Sequence, residues 1–297
     1  MLTRFDQTPW PAADAAPAPF SGPDDGRLLV WGEEGLGDQI LHLGMLPSLL
    51  DRVAQVSVAV ERRLIPLVRR SFPALEVVDV EQPQLQSPAR YQVPMSGLGP
   101  VLRPDWHHFG DTRLAYLKAD PDRVRALRLQ LAPGNQRVCG LSWRSGNELV
   151  GAERTVPLAE WQQVLAVPGY TFVDLQYGDT QAERAAAAHA TGVAIGHVQE
   201  VDNTTDIDGL AALMTACDVV VTVANTTAHL AAALGRPVLQ LLPRTRGVVW
   251  YWHEGRDDSP WYPTLRQVRR RVGGDWQEVL QRVATALAQG WPDRTAD

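Results

Sequence analysis

The strongest constraint on this chain is a recurring beat of short apolar runs, each followed by a stretch with helical spacing. RLLVW (27–31) reads as a short buried strand, and VSVAV (56–60) and LEVVDV (75–80) read as a second and a third strand. Between them, 39–50 and 61–72 place apolar residues at helical intervals. Such alternation predicts βαβ units around a parallel sheet. The beat restarts after Pro133-Gly134. VCGLSW (138–143), YTFVDLQ (170–176), DVVVTV (218–223) and PVLQLL (237–242) predict strands. Helices are predicted over 157–165, 180–190, 208–216 and 225–234. A terminal helix aligns Trp276, Val279, Leu280, Val283 and Leu287 on one face.

This pattern divides the chain into an α/β pair of Rossmann-like domains of similar size. A Pro-, Ala- and Asp-rich extended arm covers 1–25. The first domain spans 26–120, with an irregular, loop-rich second half. A linker helix occupies 121–136, with Pro121 in its first turn. The second domain spans 137–272, and the terminal helix 273–297.

Composition removes whole classes of function. The 297 residues carry a formal net charge of -6, which argues against a nucleic-acid partner. Lys118 is the sole lysine, so no Walker A loop is possible, and a phosphate must be met by arginine or a helix N-terminus. Cys139 and Cys217 lie far apart beside apolar runs and read as buried thiols. No His/Cys spacing suggests a metal site, and His107-His108 has no partners in the sequence. No apolar run spans a bilayer and no secretory h-region opens the chain, so a cytoplasmic setting is expected.

Polar clusters fall at strand-to-helix turns in both halves, where open α/β sheets build their sites. GLGDQI (35–40) follows the first strand; Gly35 and Gly37 allow close backbone approach, and Gln39 follows them. Asp38 is either a general base projecting into a cleft or a carboxylate that caps its helix. Asn225, Thr226 and Thr227 open a helix behind a buried strand. With His229 they either cradle a pyrophosphate or simply cap the helix. In SWRSGN, Arg144 is a phosphate clamp or a solvated arginine, flanked by Trp143 and Ser145. Gln176 of LQYGD is a weaker contact for a base. The aromatics of 250–263 either stack on sugars or plug the junction between domains.

GEEGLGDQILHLGMLPSLL, ERRLIPLVRRSFP, LSWRSGN, LQYGD, NTTAHLAAALGRPVLQLLP and SPWYP resemble the glycosyltransferase module often found behind tetratricopeptide repeats in bacterial proteins. That module is similar to the ADP-heptose:lipopolysaccharide heptosyltransferases of family GT9. The resemblance covers nearly all of the chain from Arg27 onward. It implies a GT-B fold, with two domains facing each other across a cleft and the terminal helix crossing back to the first. By the same resemblance Asp38 is the catalytic base, and Thr226, Thr227 and His229 hold the donor diphosphate. Arg144 takes the place of a basic phosphate contact. Asn225 replaces the aspartate usual at the head of that loop, and no 34-residue repeat is visible. Acceptor recognition then falls to the chain's own loops or to a separate partner.

The resulting expectation is inverting, metal-independent transfer of a sugar from a nucleotide diphosphate to a hydroxyl acceptor, a glycan or protein. No cofactor is needed, because the nucleotide sugar is itself the substrate. The alternatives are a GT-B epimerase, which needs further acids at the donor sugar, and a degenerate module that binds a sugar nucleotide or a protein.

Overall fold

The structure is a computed structural model that describes residues 27–86, 89–110, 112–134, 136–244 and 248–291; the expected arm at 1–25 lies outside them. Strands β1 (Leu28–Trp31), β2 (Val56–Val60), β3 (Glu76–Asp79) and β4 (Tyr91–Pro94) form the first sheet, in the order β3-β2-β1-β4. All its pairings are parallel. Strand β4 falls where the sequence predicts only loops. It is an edge strand that mixes polar residues with a proline, so it lacks the apolar signature of a strand paired on both sides.

The second sheet contains β5 (Arg137–Ser142), β6 (Tyr170–Asp174), β7 (Ile195–Gly196), β8 (Val219–Val223), β9 (Val238–Leu242) and β10 (Leu265–Arg269). Its order is β10-β9-β8-β5-β6-β7, again all parallel. The two halves are therefore unequal, with four strands against six. The edge strands β7 and β10 also escaped the sequence pattern, one for its brevity and the other for its arginines.

The lobes are not separate bodies. One apolar cluster runs from Leu28, Ile40 and Val58 of the first through Ile207, Leu230 and Tyr251 of the second. The helix Leu36–Leu43 packs on the helix Thr226–Ala233. Arg70 makes a two-pronged bond to Asp208, at 2.5 and 2.8 Å. Arg63 donates to the Thr204 carbonyl at 2.7 Å. The backbone N–H groups of Tyr116 and Leu117 both donate to Ala233 O. The long helix predicted over 39–50 is divided into Leu36–Leu43 and Leu46–Leu50. The Tyr116 ring lies against Gly44 between them, so close that a Cβ there would sit 3.0 Å away.

Two expected connections take different forms. The linker helix, Pro121–Leu131, packs on the helix Ile207–Thr215 and is tied there by Arg123–Asp206 at 2.7 Å and Arg128–Asp218 at 2.6 Å. It is part of the second lobe's outer layer. The terminal helix, Trp276–Ala288, does not cross back to the first lobe. Val279, Leu280, Val283 and Leu287 pack with Trp161, Phe172 and Val221 of the second. An apolar face demands a core but does not say whose, and the nearest open core is the sheet immediately before it. Cys139 and Cys217 are buried free thiols, and burial pushes the latter up to about 12. Among the described residues no helix is long and apolar enough to cross a membrane.

Candidate functional site

Both sheets direct their carboxyl ends at the junction, and a cavity of about 350 Å³ opens there. The first lobe contributes Gly35, Gly37, Asp38 and Arg63. The second contributes Ser145, Arg154, Asn225, Thr226, Thr227, His229 and Tyr251 to the polar part of the wall. Leu175, Tyr177, Asn203, Ile207 and Leu210 form a more apolar end.

Asp38 sits in the first turn of its helix, but it is not the cap. The N-cap is Gly35, which makes no side-chain bond. The Asp38 carboxylate instead accepts a 3.0 Å hydrogen bond from the Tyr251 phenol, which belongs to the other lobe. Its second oxygen lies on the Gly35 side, 3.5 Å from where a Cβ there would stand. Glu34 is a neighbour whose carboxyl is raised, first by burial and then by the charges of Asp38 and Glu33. Gln39, by contrast, is buried away from the cavity. It accepts from Glu61 N–H and donates to the Glu34 carbonyl, so it braces the loop.

The Asn225 turn is built differently. Asn225 Oδ1 accepts from Thr227 N–H at 3.0 Å and from the Thr222 hydroxyl at 3.1 Å. Its Nδ2 donates to Ser142 Oγ at 2.8 Å and to the Arg144 carbonyl at 3.0 Å. All four bonding positions are used, and the amide stitches β8 to β5 where the strand order reverses. An aspartate could not donate to the Arg144 carbonyl, so this cap calls for asparagine. The helix N-terminus behind it stays directed at the cavity, with Thr226 half-buried.

His229 is a correction to the diphosphate set. Burial above all, helped by the charges of His42 and Arg154, holds its pKa down near about 3, so it is neutral. Its Nδ1 lies 2.9 Å from the Tyr262 hydroxyl. That hydroxyl donates to Tyr116, which in turn donates to Ile40 O at 2.7 Å. Tyr262 has no second proton, so the His229 proton must be on Nδ1. The remaining nitrogen, Nε2, is an acceptor on the Gly37 side. His229 therefore locks the two helices together through Tyr262, and it presents an acceptor nitrogen, not a positive charge, to the cavity it lines.

Arg144 also differs from expectation. Its guanidinium donates to the carbonyls of Tyr177 and Asp179 and pairs with Glu183 at 3.3 Å, outside the cavity. Trp143 is fully buried and donates its indole N–H to Glu183. Gln176 is buried too: its Oε1 accepts from Ser142, Trp143 N–H and Arg144 N–H. These three hold the loop and are not positioned to touch a nucleotide. Only Ser145 of that group reaches the wall.

Beside Arg63, the wall holds a second cation that the sequence did not mark. Arg154 ends a four-residue helix, Gly151–Arg154, and reaches Ala224 O at 3.4 Å. Burial lowers its pKa, while Tyr251 and Asp38 hold it up, so all three share one field. Gly151 makes this possible. A Cβ there would stand 2.4 Å from Ser145 O, so the loop that carries Arg154 closes onto Ser145 only with glycine. Asn203 was missed as well. Its Nδ2 donates to the carbonyls of Asp174 and Gln176, which leaves Oδ1 buried without a partner. Among the described residues no group of three or more His, Cys, Asp and Glu side chains could hold a metal ion.

Residues 157–270 match the family model of glycosyltransferase family 9 (heptosyltransferase). That segment is similar to glycosyltransferase family 9 domains. The family 9 match covers β6 through β10 and the Asn225 turn. Over 283 residues the chain is 36% identical to Protein FlbA of Caulobacter vibrioides, an alignment covering 88% of this chain and 46% of that protein. The chain thus spans about half the length of the curated relative it matches. Among solved structures, ADP-heptose LPS heptosyltransferase II of E. coli superposes with a TM-score of 0.57 at 16% identity, covering 89% of this chain and 98% of that one. The E. coli heptosyltransferase WaaC with ADP gives 0.54 at 15% identity, over 89% and 96% of the two chains. A family 9 glycosyltransferase from Veillonella parvula gives 0.56 at 13% identity, over 83% and 86%. At these identities the likeness is one of fold, and that fold is GT-B.

Proposed function

We propose that the chain transfers a sugar from a nucleotide diphosphate to a hydroxyl acceptor, with inversion and without a metal ion. One observation carries the reading: a first-lobe carboxylate, Asp38, and a second-lobe helix N-terminus at Thr226 line the same cavity, with Arg154 beside them. The helix end and Arg154 supply positive potential where a diphosphate leaves, in place of a cation. Asp38 takes the acceptor's proton on the opposite side. The apolar end around Leu175, Ile207 and Leu210 suits a base, and the ADP named with the WaaC structure is a reasonable first nucleotide to try.

Asn225 is no mark of degeneracy on this reading, since it caps its turn with every bond made and leaves the helix end available. The direct test is a thermal-shift screen of nucleoside diphosphates and their sugars in EDTA. A true donor at 100 times its dissociation constant stabilises the fold by about 2.7 kcal/mol. Absence of any shift, or a shift that needs added metal, would remove the reading.

A further inference from the structure

Tyr251 is absent from every expectation built on the two strand-to-helix turns, yet it is the residue that touches the base. It arrives from the second lobe on a short 3₁₀ turn, Trp250–Trp252. That turn is fixed from behind: Arg269 donates to the carbonyls of Trp252 and His253, at 2.6 and 3.0 Å. The rings of Trp252 and Tyr251 pack on His229, with centroids 4.8 and 5.3 Å away. The phenol is therefore placed by the same buried ring cluster that locks the two helices, and it is 6% exposed.

We propose that Tyr251 is a positioning residue: its hydroxyl, delivered by the diphosphate-side lobe, holds Asp38 Oδ1 and leaves Oδ2 to take the acceptor's proton. The inference rests on the transferase reading above. In the step it serves, the acceptor O–H bond breaks and its proton goes to Oδ2. The acceptor oxygen forms the new bond to the anomeric carbon, and the electrons of the sugar–phosphate bond leave with the diphosphate. The Asp38 bond to Tyr251 persists throughout, so the carboxylate cannot rotate away from the acceptor side. The charged and titratable groups around Asp38 are Glu34 and His42 from its own lobe, with Arg154, Tyr251 and Tyr262 from the other. Among these, the phenol of Tyr251 is the one hydrogen-bonded to it. The arrangement makes the base competent only when the second lobe is seated against the first.

The test is Tyr251→Phe in the full chain, which keeps the ring and removes the hydroxyl. Loss of one bond to a charged group predicts a fall in kcat of about 10- to 100-fold, with donor KM unchanged and only a small fall in melting temperature. Independently of turnover, the carboxyl-carbon NMR signal of Asp38, assigned with Asp38→Asn, should move in the variant. An unmoved signal, or a kcat equal to that of the wild type, would overturn the assignment. So would a joint loss of kcat, donor binding and thermal stability, which marks a packing role. If the wild-type chain turned over no sugar nucleotide, the transferase reading would fall while the NMR measurement still decided Tyr251.

Discussion

The glycine turn at 32–38 and the amide turn at 224–229 occupy equivalent places, each leading from a buried strand into a helix at the junction of the lobes. They spend their polar residues in opposite ways. In the second, Asn225 is consumed by structure, with four bonds that close the cap and tie β8 to β5. In the first, the cap position is a glycine without a side-chain bond, and among the described residues the acid three residues on is held from across the junction. A polar group that has satisfied itself locally shapes a site, whereas one left to a distant partner is available for chemistry. His229 extends the contrast, since its proton is committed to Tyr262 and its ring to packing.

The largest effect expected from breaking this contrast lies with His229. Its folded pKa is about 3 against 6.5 when unfolded. The unfolded chain therefore binds the proton more readily, and the contribution is complete above pH 6.5. It is lost progressively as pH falls toward 3, by about 5 kcal/mol at the limit. His229→Asn keeps a donor near the Nδ1 position and cannot titrate. The difference in denaturant stability between the two proteins should shift in the variant's favour across that window; a constant difference would refute the buried neutral histidine.

Next in size is Arg154. On the proposed transfer its removal takes charge from the face where the diphosphate would leave, so Arg154→Ala should lower turnover about 10²- to 10³-fold. Arg144→Ala should leave nucleotide affinity within a fewfold, because its guanidinium is engaged outside the cavity. Equal losses in the two variants, measured by steady-state kinetics, would erase the distinction drawn between them. Smaller still is Asn225→Asp. It sets a carboxylate oxygen against the Arg144 carbonyl in place of a donor, partly offset by the helix end. A stability loss of about 2 kcal/mol is expected in urea unfolding. A gain would mean the turn tolerates either residue.

The same contrast explains what the sequence could disclose. Strands buried on both faces, such as β2 and β8, declare themselves by composition alone, as do the two turns that follow β1 and β8. Edge strands β4 and β10 mix in prolines and arginines and do not. The apolar face of the terminal helix was legible, but its partner was not, because amphipathicity records a need for cover and no address. Within the site, Asp38 and the Asn225–Thr227 turn were legible because their places are fixed by short backbone geometry. Arginine reaches too far for such reading: Arg144 is drawn off by Glu183, while Arg154, on a loop closed by Gly151, swings in. The ring of Tyr251 could be seen as part of an aromatic cluster, but its bond to Asp38 depends on how the lobes meet.

Asp38→Ala, assayed in parallel for nucleoside diphosphate affinity and for donor-sugar consumption, separates the two turns most directly. Affinity should stay within about twofold while consumption drops by roughly 10³-fold, the share a positioned base supplies. Consumption that survives the substitution, or affinity that collapses with it, would contradict a division of labour between carboxylate and cradle.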